Sequence, residues 1–354
     1  MGPTNDKQRH YNRIPKKMKK LQAQLVVILL VLFSACLRAG SPPGRVISWG
    51  YTNSSVSVIP PPQFSATFVT IAGKVLDDVI AISAGQQHNL ALKSDGTVVS
   101  WGGENQFGET SVPPELRDVL GISAGPGYSL AVRRDGRVIA WGGLGEGNSY
   151  AAGLSNIIAV SAGAGHGLAL RKDGTIASWG EFYGPPKGLS NIVAVFARFS
   201  VVGLDMALRR DGTVIEWNLK GVQDSNTGPQ GLSNVVAISG GDLHSLALRS
   251  DGTVVDWGPY GNGFGGGASS VDPTQKNVSD CVVKISGLVL SDVVAIAARA
   301  QTSMALKRDG TVVVWSKNPT HIPPVPSRVS NAVAIATSGG GFLAVVRGES
   351  TPAK

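Results

Sequence analysis

The chain has little of what marks a stapled or catalytic protein. Its 354 residues hold two cysteines, Cys36 and Cys281, so no disulfide framework is implied. Cys281 reads as a small buried apolar residue rather than a reactive thiol. Charged residues make up 16% and aromatics 6% of the chain. No Gly-x-Ser-x-Gly, His-Glu-x-x-His or phosphate-loop motif occurs. The run Gly261–Gly267 is glycine-rich but lacks the Lys-Ser/Thr of a phosphate cradle. No Asp-x-Asp-x-Asp-Gly spacing marks a calcium loop. An enzyme, a cofactor and a metal site are therefore not expected. The apolar run Leu25–Phe33 is short of the roughly 20 residues that a membrane span requires. Disorder is excluded in turn, because 42% of the chain is hydrophobic.

The formal charge of +8 suggests nucleic acid at first sight. Residues 1–39 account for +7 of it through Lys7, Arg9, Arg13, Lys16, Lys17, Lys19, Lys20 and Arg38 against Asp6. The remainder carries +1, too little to neutralise a phosphate backbone. No nucleic-acid partner is expected. A basic stretch, a short apolar run and small residues after it are the parts of an export leader. Three routes are open. Cys36 in Phe33-Ser34-Ala35-Cys36 is lipidated as in a lipoprotein leader, or a peptidase cuts near Ala39-Gly40, or the segment stays as an anchor. Translation starts at Met1 or at Met18. Membrane association is expected only through this leader, and the protein is expected to be exported, either secreted or held on the cell envelope.

What the chain does have is glycine, 46 residues of it, and a phrase that recurs. Val79-Ile80-Ala81-Ile82-Ser83-Ala84-Gly85 opens the phrase, and His88–Lys93, Asp95-Gly96 and Val98–Gly102 complete it. Asp-Gly returns at Asp95, Asp135, Asp173, Asp211, Asp251 and Asp309, each followed six residues later by Trp101, Trp141, Trp179, Trp217, Trp257 and Trp315. The seventh tryptophan is Trp49. Asp-Gly between short apolar segments is a hairpin signal, because Gly takes the positive φ that matches strand twist. Short strands in register at this period read as propeller blades. Three strands are visible in each repeat, and a fourth is expected between the Trp and the next apolar strand.

The opening strand begins at Val79, Val119, Ile157, Ile192, Val235, Val293 and Ala332. The last copy stops at Gly348, where its Asp-Gly turn is due, and its missing strand lies at the other end of the chain as Arg45–Gly50. The expected fold is an all-β, seven-bladed β-propeller over residues 44–348, with Val46–Trp49 pairing beside Leu343–Val346. Such closure removes the exposed edges of an open array. Residues 1–39 are the leader and 349–354 a tail. Two repeats deviate. The fourth has Phe196–Val202 in place of a shorter Gly-bearing turn. The interval from Trp257 to Trp315 is 58 residues, with its excess in Pro259–Gly287, expected as a mobile insert.

The recurring polar residues are read structurally. His88, His166 and His244 are 78 residues apart, two repeats each time. Tyr128 and Thr302 hold the same position elsewhere, so these imidazoles are expected to hydrogen-bond within their own blade rather than bind zinc. The six aspartates are turn formers, and the seven tryptophans are blade packing.

The phrase Gly-x-x-His, Leu-Ala-Leu, Asp-Gly, Val-x-x-Trp-Gly resembles the regulator of chromosome condensation repeat over about residues 44–348. The short repeats look closer to bacterial versions, which include a secreted propeller-type β-lactamase inhibitor. Gly108-Glu109-Thr110-Ser111-Val112-Pro113 and the split last blade are similar to that type. The resemblance implies a binding scaffold. Its eukaryotic form implies an exchange-factor-like regulator of a small GTPase, and its bacterial form an inhibitor of a hydrolase such as a β-lactamase. The inhibitor type carries an aromatic just before the His position. Here Gln87, Gly127, Gly165, Leu243 and Gln301 stand there. The expected function is thus a non-enzymatic, monomeric, protein-binding propeller outside the cell or on its surface, with an unidentified protein partner. Its variable loops are Glu104–Pro114, Leu144–Gly153, Glu181–Gly188, Leu219–Gly231, Pro259–Gly287 and Lys317–Ser327. Tyr150, Phe182, Tyr183, Tyr260 and Phe264 are the candidate contacts in them.

Overall fold

The computed structural model describes residues 43–50, 67–143, 150–180, 184–199, 204–218, 228–258, 277–316, 322–338 and 341–347. Among these residues the regular secondary structure is almost entirely antiparallel strand. The first full repeat shows why. Val79–Ala84 pairs with His88–Lys93, which pairs with Val98–Gly102. Gly96, at φ 80°, makes the tight return between the last two. Val119, Ile157, Ile192, Val235 and Val293 each open an inner strand of a further three-stranded sheet of the same order. A four-stranded sheet ends the series, ordered Ala332–Thr337, Gly341–Val346, Arg45–Gly50, Thr67–Phe68 from inner to outer.

The N-terminal strand completes the last sheet, as expected. Val46 pairs with Val345, Ile47 with Ala344, Ser48 with Leu343 and Trp49 with Phe342. The closure reaches further than pairing. At five of the six Asp-Gly turns the glycine carbonyl accepts from the first residue of the next inner strand, as Gly96 O does from Val119 N at 3.1 Å and Gly310 O from Ala332 N at 3.1 Å. Gly44 takes over that role: its carbonyl accepts from Val79 N, and its amide donates to Val79 O, both at 3.0 Å. Each inner strand packs beside the next, and Ala332–Thr337 packs beside Val79–Ala84, so the sheets form a ring. The architecture is a β-propeller.

Two local devices recur at the start of every inner strand. Asp78, Asp118, Asn156, Asn191, Asn234, Asp292 and Asn331 all hold φ between 54° and 61°, a region that Asn and Asp tolerate better than other side chains. Each carbonyl there accepts an amide from just past the second strand, as Asp78 O does from Ser94 N at 2.9 Å. A β-bulge follows at once, between Val79 and Ala81 and at the matching place in the other sheets. Bulges increase local twist, which suits sheets that must fan around an axis.

The core lies between sheets rather than within them. It divides into seven apolar clusters, and each takes one tryptophan: Trp49, Trp257, Trp101, Trp179, Trp315, Trp141 and Trp217 in turn. One cluster joins Leu90 and Leu92 of the first repeat to Ile122, Ala131 and Trp141 of the second. The second strand of each sheet is covered on both faces, which is why Leu90-Ala91-Leu92 reads as a continuous apolar run instead of an alternating one.

The expected fourth strand is assigned in the last sheet alone among the described residues, as Thr67–Phe68 on Ile47 and Ser48. Its counterpart beside Val254–Trp257 is a bridge, Val255 to Val282. The long insert is corrected in part. Residues 259–276 lie outside the described residues. Residues 277–287 are built into the sheet region: Cys281 and Val283 are buried, and Lys284–Ile285 forms a hairpin with Leu288–Val289. Its turn, Ser286-Gly287, has φ 51° and 81° and matches Ala72-Gly73 at 48° and 78° in the first repeat. Ile285-x-Gly-x-Val289-Leu290 thus repeats Ile71-x-Gly-x-Val75-Leu76.

The closing strand carries a direct test. Ile47 is 1% exposed and sits in a cluster with Met304, Ile335 and Phe342. Ile47→Ala should cost about 2–5 kcal/mol of stability in urea denaturation. Removing residues through Gly50 should abolish the cooperative transition, since Gly341–Val346 would be left an unpaired edge. A truncated protein that melts as the intact one does would refute the closure.

Candidate functional site

The ring presents two faces. One carries the Asp-Gly turns. In each of these the aspartate Oδ1 accepts the amide two residues on, at 2.9 Å for Asp95 and Thr97, and in several the threonine hydroxyl as well, at 2.6 Å. The Thr97 hydroxyl and amide hold the Asp95 carboxyl below its ordinary range, and the same contacts act at Asp173 and Asp251. At Asp211 and Asp309 the threonine amide is the larger influence. These carboxylates serve their own turns on separate sheets. No group of metal-ligating side chains occurs among the described residues.

The other face carries the turn after each inner strand and the loops after each Trp-Gly. Here the structure corrects the reading of the histidines: they bond across to the next sheet, not within their own. His88 Nε2 lies 2.7 Å from Ser129 Oγ, His244 Nε2 lies 2.8 Å from Ser303 Oγ, and His166 Nε2 lies 3.0 Å from Asp205 Oδ1. Ser129 donates its proton to the Glu109 carbonyl at 3.0 Å, so His88 is the donor in its own bond. Tyr128 reaches the same way, its hydroxyl donating to the carbonyls of Gly163 and His166.

These rings explain the glycine that ends the inner strand. A Cβ at Gly85 would come 3.1 Å from the His88 ring, and at Gly125 2.5 Å from that of Tyr128. Gly163 and Gly241 are closed in the same way by His166 and His244. Where Leu204 and Thr302 replace the ring, Arg198 and Arg299 replace the glycine. Both arginines are buried, at 4% and 6% exposure. Arg198 donates through Nη2 to Ser245 Oγ at 2.7 Å and stands 3.8 Å from Glu216 Oε1. Burial lowers the pKa of Arg198 against the pull of Glu216, Asp205 and Asp242. Burial takes Arg299 down to about 10, with Asp242 opposing.

The inner strands surround a central channel with a cavity of about 120 Å³. Serines in its wall stitch neighbours together. Ser83 Oγ accepts from Ala124 N at 3.0 Å, Ser123 Oγ from Ala162 N at 2.9 Å, Ser161 Oγ from Ala197 N at 2.8 Å and Ser239 Oγ from Ala298 N at 3.0 Å. At this position the fourth repeat has Phe196. Gly240 makes room for it, since a Cβ there would meet the Phe196 ring at 3.1 Å.

Of the candidate contact residues, Tyr150 is described and is 56% exposed. Phe182, Tyr183, Tyr260, Phe264 and Cys36 lie outside the described residues. The structure adds Phe107, 61% exposed, in the loop after Trp101. Its ring rests on Gly127 and Gly143 of the next repeat, where an added Cβ would come 2.9 Å and 2.8 Å from it. Its amide donates to Glu109 Oε2 at 3.0 Å. Glu109 is 2% exposed, and its carbonyl also accepts Trp141 Nε1 at 2.9 Å. Asn105 clamps the loop through Thr110 N and Ser111 Oγ at 2.9 and 3.0 Å. The sequence signal was an aromatic between the turn residues Asn105 and Gly108, both at positive φ here.

Apolar sheets arranged in a ring, with polar stitches between them and variable loops on one face, define a repeat propeller. A family model described as the regulator of chromosome condensation (RCC1) repeat matches residues 79–109 and 157–182. Two segments of the chain thus match the RCC1 repeat, and the fold is that of an RCC1-like β-propeller. A search of curated proteins gives no match. Among solved structures, Prp20p from Saccharomyces cerevisiae is 18% identical with a TM-score of 0.63, covering 90% of this chain and 94% of its own. Human WBSCR16 is 16% identical at 0.62, covering 86% and 99%. The receptor kinase CR4 ectodomain from Physcomitrella patens is 17% identical at 0.56, covering 77% and 71%.

The histidines make stability pH-dependent. Burial lowers His88 and His244 from 6.5 to about 4, with Glu109 opposing at His88 and Arg198 adding to the effect at His244. Between these values the unfolded chain binds protons that the fold refuses, so stability should fall as pH drops from 6.5 to about 4, on the order of 3 kcal/mol for each ring. His166 has the opposite sign. Burial resists its protonation, but the hydrogen bond and charge of Asp205 and the Ala164 carbonyl outweigh that and raise its pKa. Its contribution is complete below the unfolded value and is lost as pH rises through the folded one. Urea denaturation of the wild type and His88→Gln at pH 7, 5.5 and 4 checks this: the substitution should flatten the acid loss, and an unchanged slope would exclude His88 as its source.

Proposed function

We propose that the protein is a non-enzymatic, protein-binding propeller scaffold that acts outside the cell or on its surface. The observation that carries the reading is Phe107, a largely exposed aromatic held in place by buried bonds. An exposed ring is ordinarily mobile or absent from a surface, and aromatic anchors dominate binding energy at protein interfaces. Fixing the anchor before binding lowers the ordering cost of association. Tyr150 sits in the following repeat's loop after Trp-Gly and extends the same face. The other loops on that face vary in length and sequence between repeats, which lets a scaffold alter specificity at constant fold. Export rests on residues 1–39, whose basic and apolar parts read as a leader.

A second reading is a regulator of a small GTPase. What favours it is the resemblance in fold to Prp20p, whose structure is reported with binding to Gsp1p and histones. It requires the chain to remain inside the cell. The hydrolase-inhibitor reading rests on Gly108–Pro113 in the Phe107 loop and uses the same anchor.

Capture of partners by the purified protein, compared with Phe107→Ala and with a variant lacking residues 259–276, tests the reading. Phe107→Ala should weaken the interaction about 30-fold, the cost of a hot-spot side chain, with the melting temperature unchanged. Equal recovery by Phe107→Ala would remove this loop from the interface, and full-length unprocessed protein in the cytosol would sink the surface location.

A further inference from the structure

We infer that the mouth of the central channel is a binding site for a small carboxylate, held by the Arg299 guanidinium. Arg299 is 6% exposed and belongs to the channel wall together with Phe199, Ala298 and Thr337. Its guanidinium carbon lies 3.4 Å from the centre of the Phe199 ring. One face of the cation is thereby closed, and the in-plane donors remain. Nη1 is buried and has no hydrogen-bond partner. A buried ionised donor without an acceptor is costly, and native structures seldom leave one.

The neighbouring carboxylates are engaged elsewhere. Asp205 accepts from His166 Nε2 at 3.0 Å and from Arg198 N at 3.0 Å. Glu216 accepts from Ser245 Oγ at 2.6 Å and from Trp257 Nε1 at 3.2 Å, and stands against Arg198. Asp242 attracts Arg299 through space, and among the described residues no ion pair joins the two. Among the described residues Arg299 is thus the cation of this cluster with no carboxylate in direct contact.

The chemistry of the channel mouth selects the ligand. A guanidinium with one face stacked offers a planar fork, which matches the two coplanar oxygens of a carboxylate. A single negative charge complements Arg299, whereas a dianion would meet repulsion from Asp242. The cavity of about 120 Å³ continues past methyl-bearing walls at Ala84, Ala124, Ala162, Ala298 and Ile335. A short aliphatic tail fits those walls, and a small organic acid fits the whole. The inference does not depend on the protein-binding reading and involves a different part of the molecule.

Isothermal titration of the purified protein with sodium propionate, against sodium chloride and sodium sulfate at matched ionic strength, tests it. Propionate should give saturable heat with a Kd on the order of 1 mM, while chloride and sulfate give none. Arg299→Met, which keeps the length of the stem, should lose at least about tenfold in affinity with an unchanged circular dichroism spectrum. No saturable heat from the wild type, equal heats from all three salts, or wild-type affinity in Arg299→Met would each overturn the site. Should Arg299→Met not fold, Arg299→Lys keeps the charge without the fork and should bind roughly fivefold more weakly, and equal affinity in that variant would overturn the proposal.

Discussion

No sheet in this protein can bury its own second strand. Leu90, Ala91 and Leu92 are each at most 1% exposed, yet a three-stranded sheet in isolation leaves both faces in water. Cover comes from the sheets before and after, so every repeat depends on two others and the array is stable only as a ring. That constraint explains why the two ends of the chain share one sheet. It also explains the placement of the tryptophans, since each fills the wedge between consecutive sheets where the largest apolar volume is required.

Within that ring, the polar contacts are arranged to the same end. Backbone ladders run inside sheets, and side-chain bonds run between them. Serines on the inner strands, imidazoles and the Tyr128 hydroxyl on the second strands, and turn glycines at the rim all reach forward to the next repeat. The rings and the glycines are one unit, because a ring needs a neighbour without a side chain. Two of the three repeats that lack the ring gain an arginine instead, and the last has Gly341 and Ser338 at these positions. Arg198 and Arg299 then bring positive charge to a part of the fold that also buries Asp205 and Glu216, on either side of the fifth sheet.

The proposed protein contacts lie in the loops that vary between repeats. The loops after each Trp differ in length and composition from repeat to repeat, and Leu116, Leu154 and Leu189 from their described parts pack into the wedges. The Phe107 loop is tied to the core by polar bonds as well: the Glu109 carbonyl accepts from Ser129 and Trp141. A rigid anchor on a variable face suits recognition. The channel mouth has the opposite character, a buried cation in a narrow, alanine-rich wall. The two features use separate chemistry and need not act together.

Much of the fold was legible because it is periodic. Asp-Gly, the Trp six residues on and the apolar triplets recur in register, and a pattern that recurs in register reports a repeated backbone. The split last sheet followed from the strand missing at one end and present at the other. Other periodic signals were there and went unread, among them the Asn or Asp before each inner strand and the second copy of Ile71–Leu76 at Ile285–Leu290. What no linear pattern shows is which sheet a side chain faces. His88, His166 and His244 occupy one register position, and only packing decides that they bond forward to Ser129, Asp205 and Ser303 rather than inward. Phe107 and Arg299 belong to the same class. Each departs from the repeat's common pattern, and its meaning is set by neighbours some distance along the chain: Gly127 and Gly143 under the ring, Phe199 over the guanidinium. The ordering of strands was therefore written in the sequence, because strand propensity and turn chemistry are local. The sites were decided by tertiary structure, because burial, stacking and unmet hydrogen bonds are properties of surroundings.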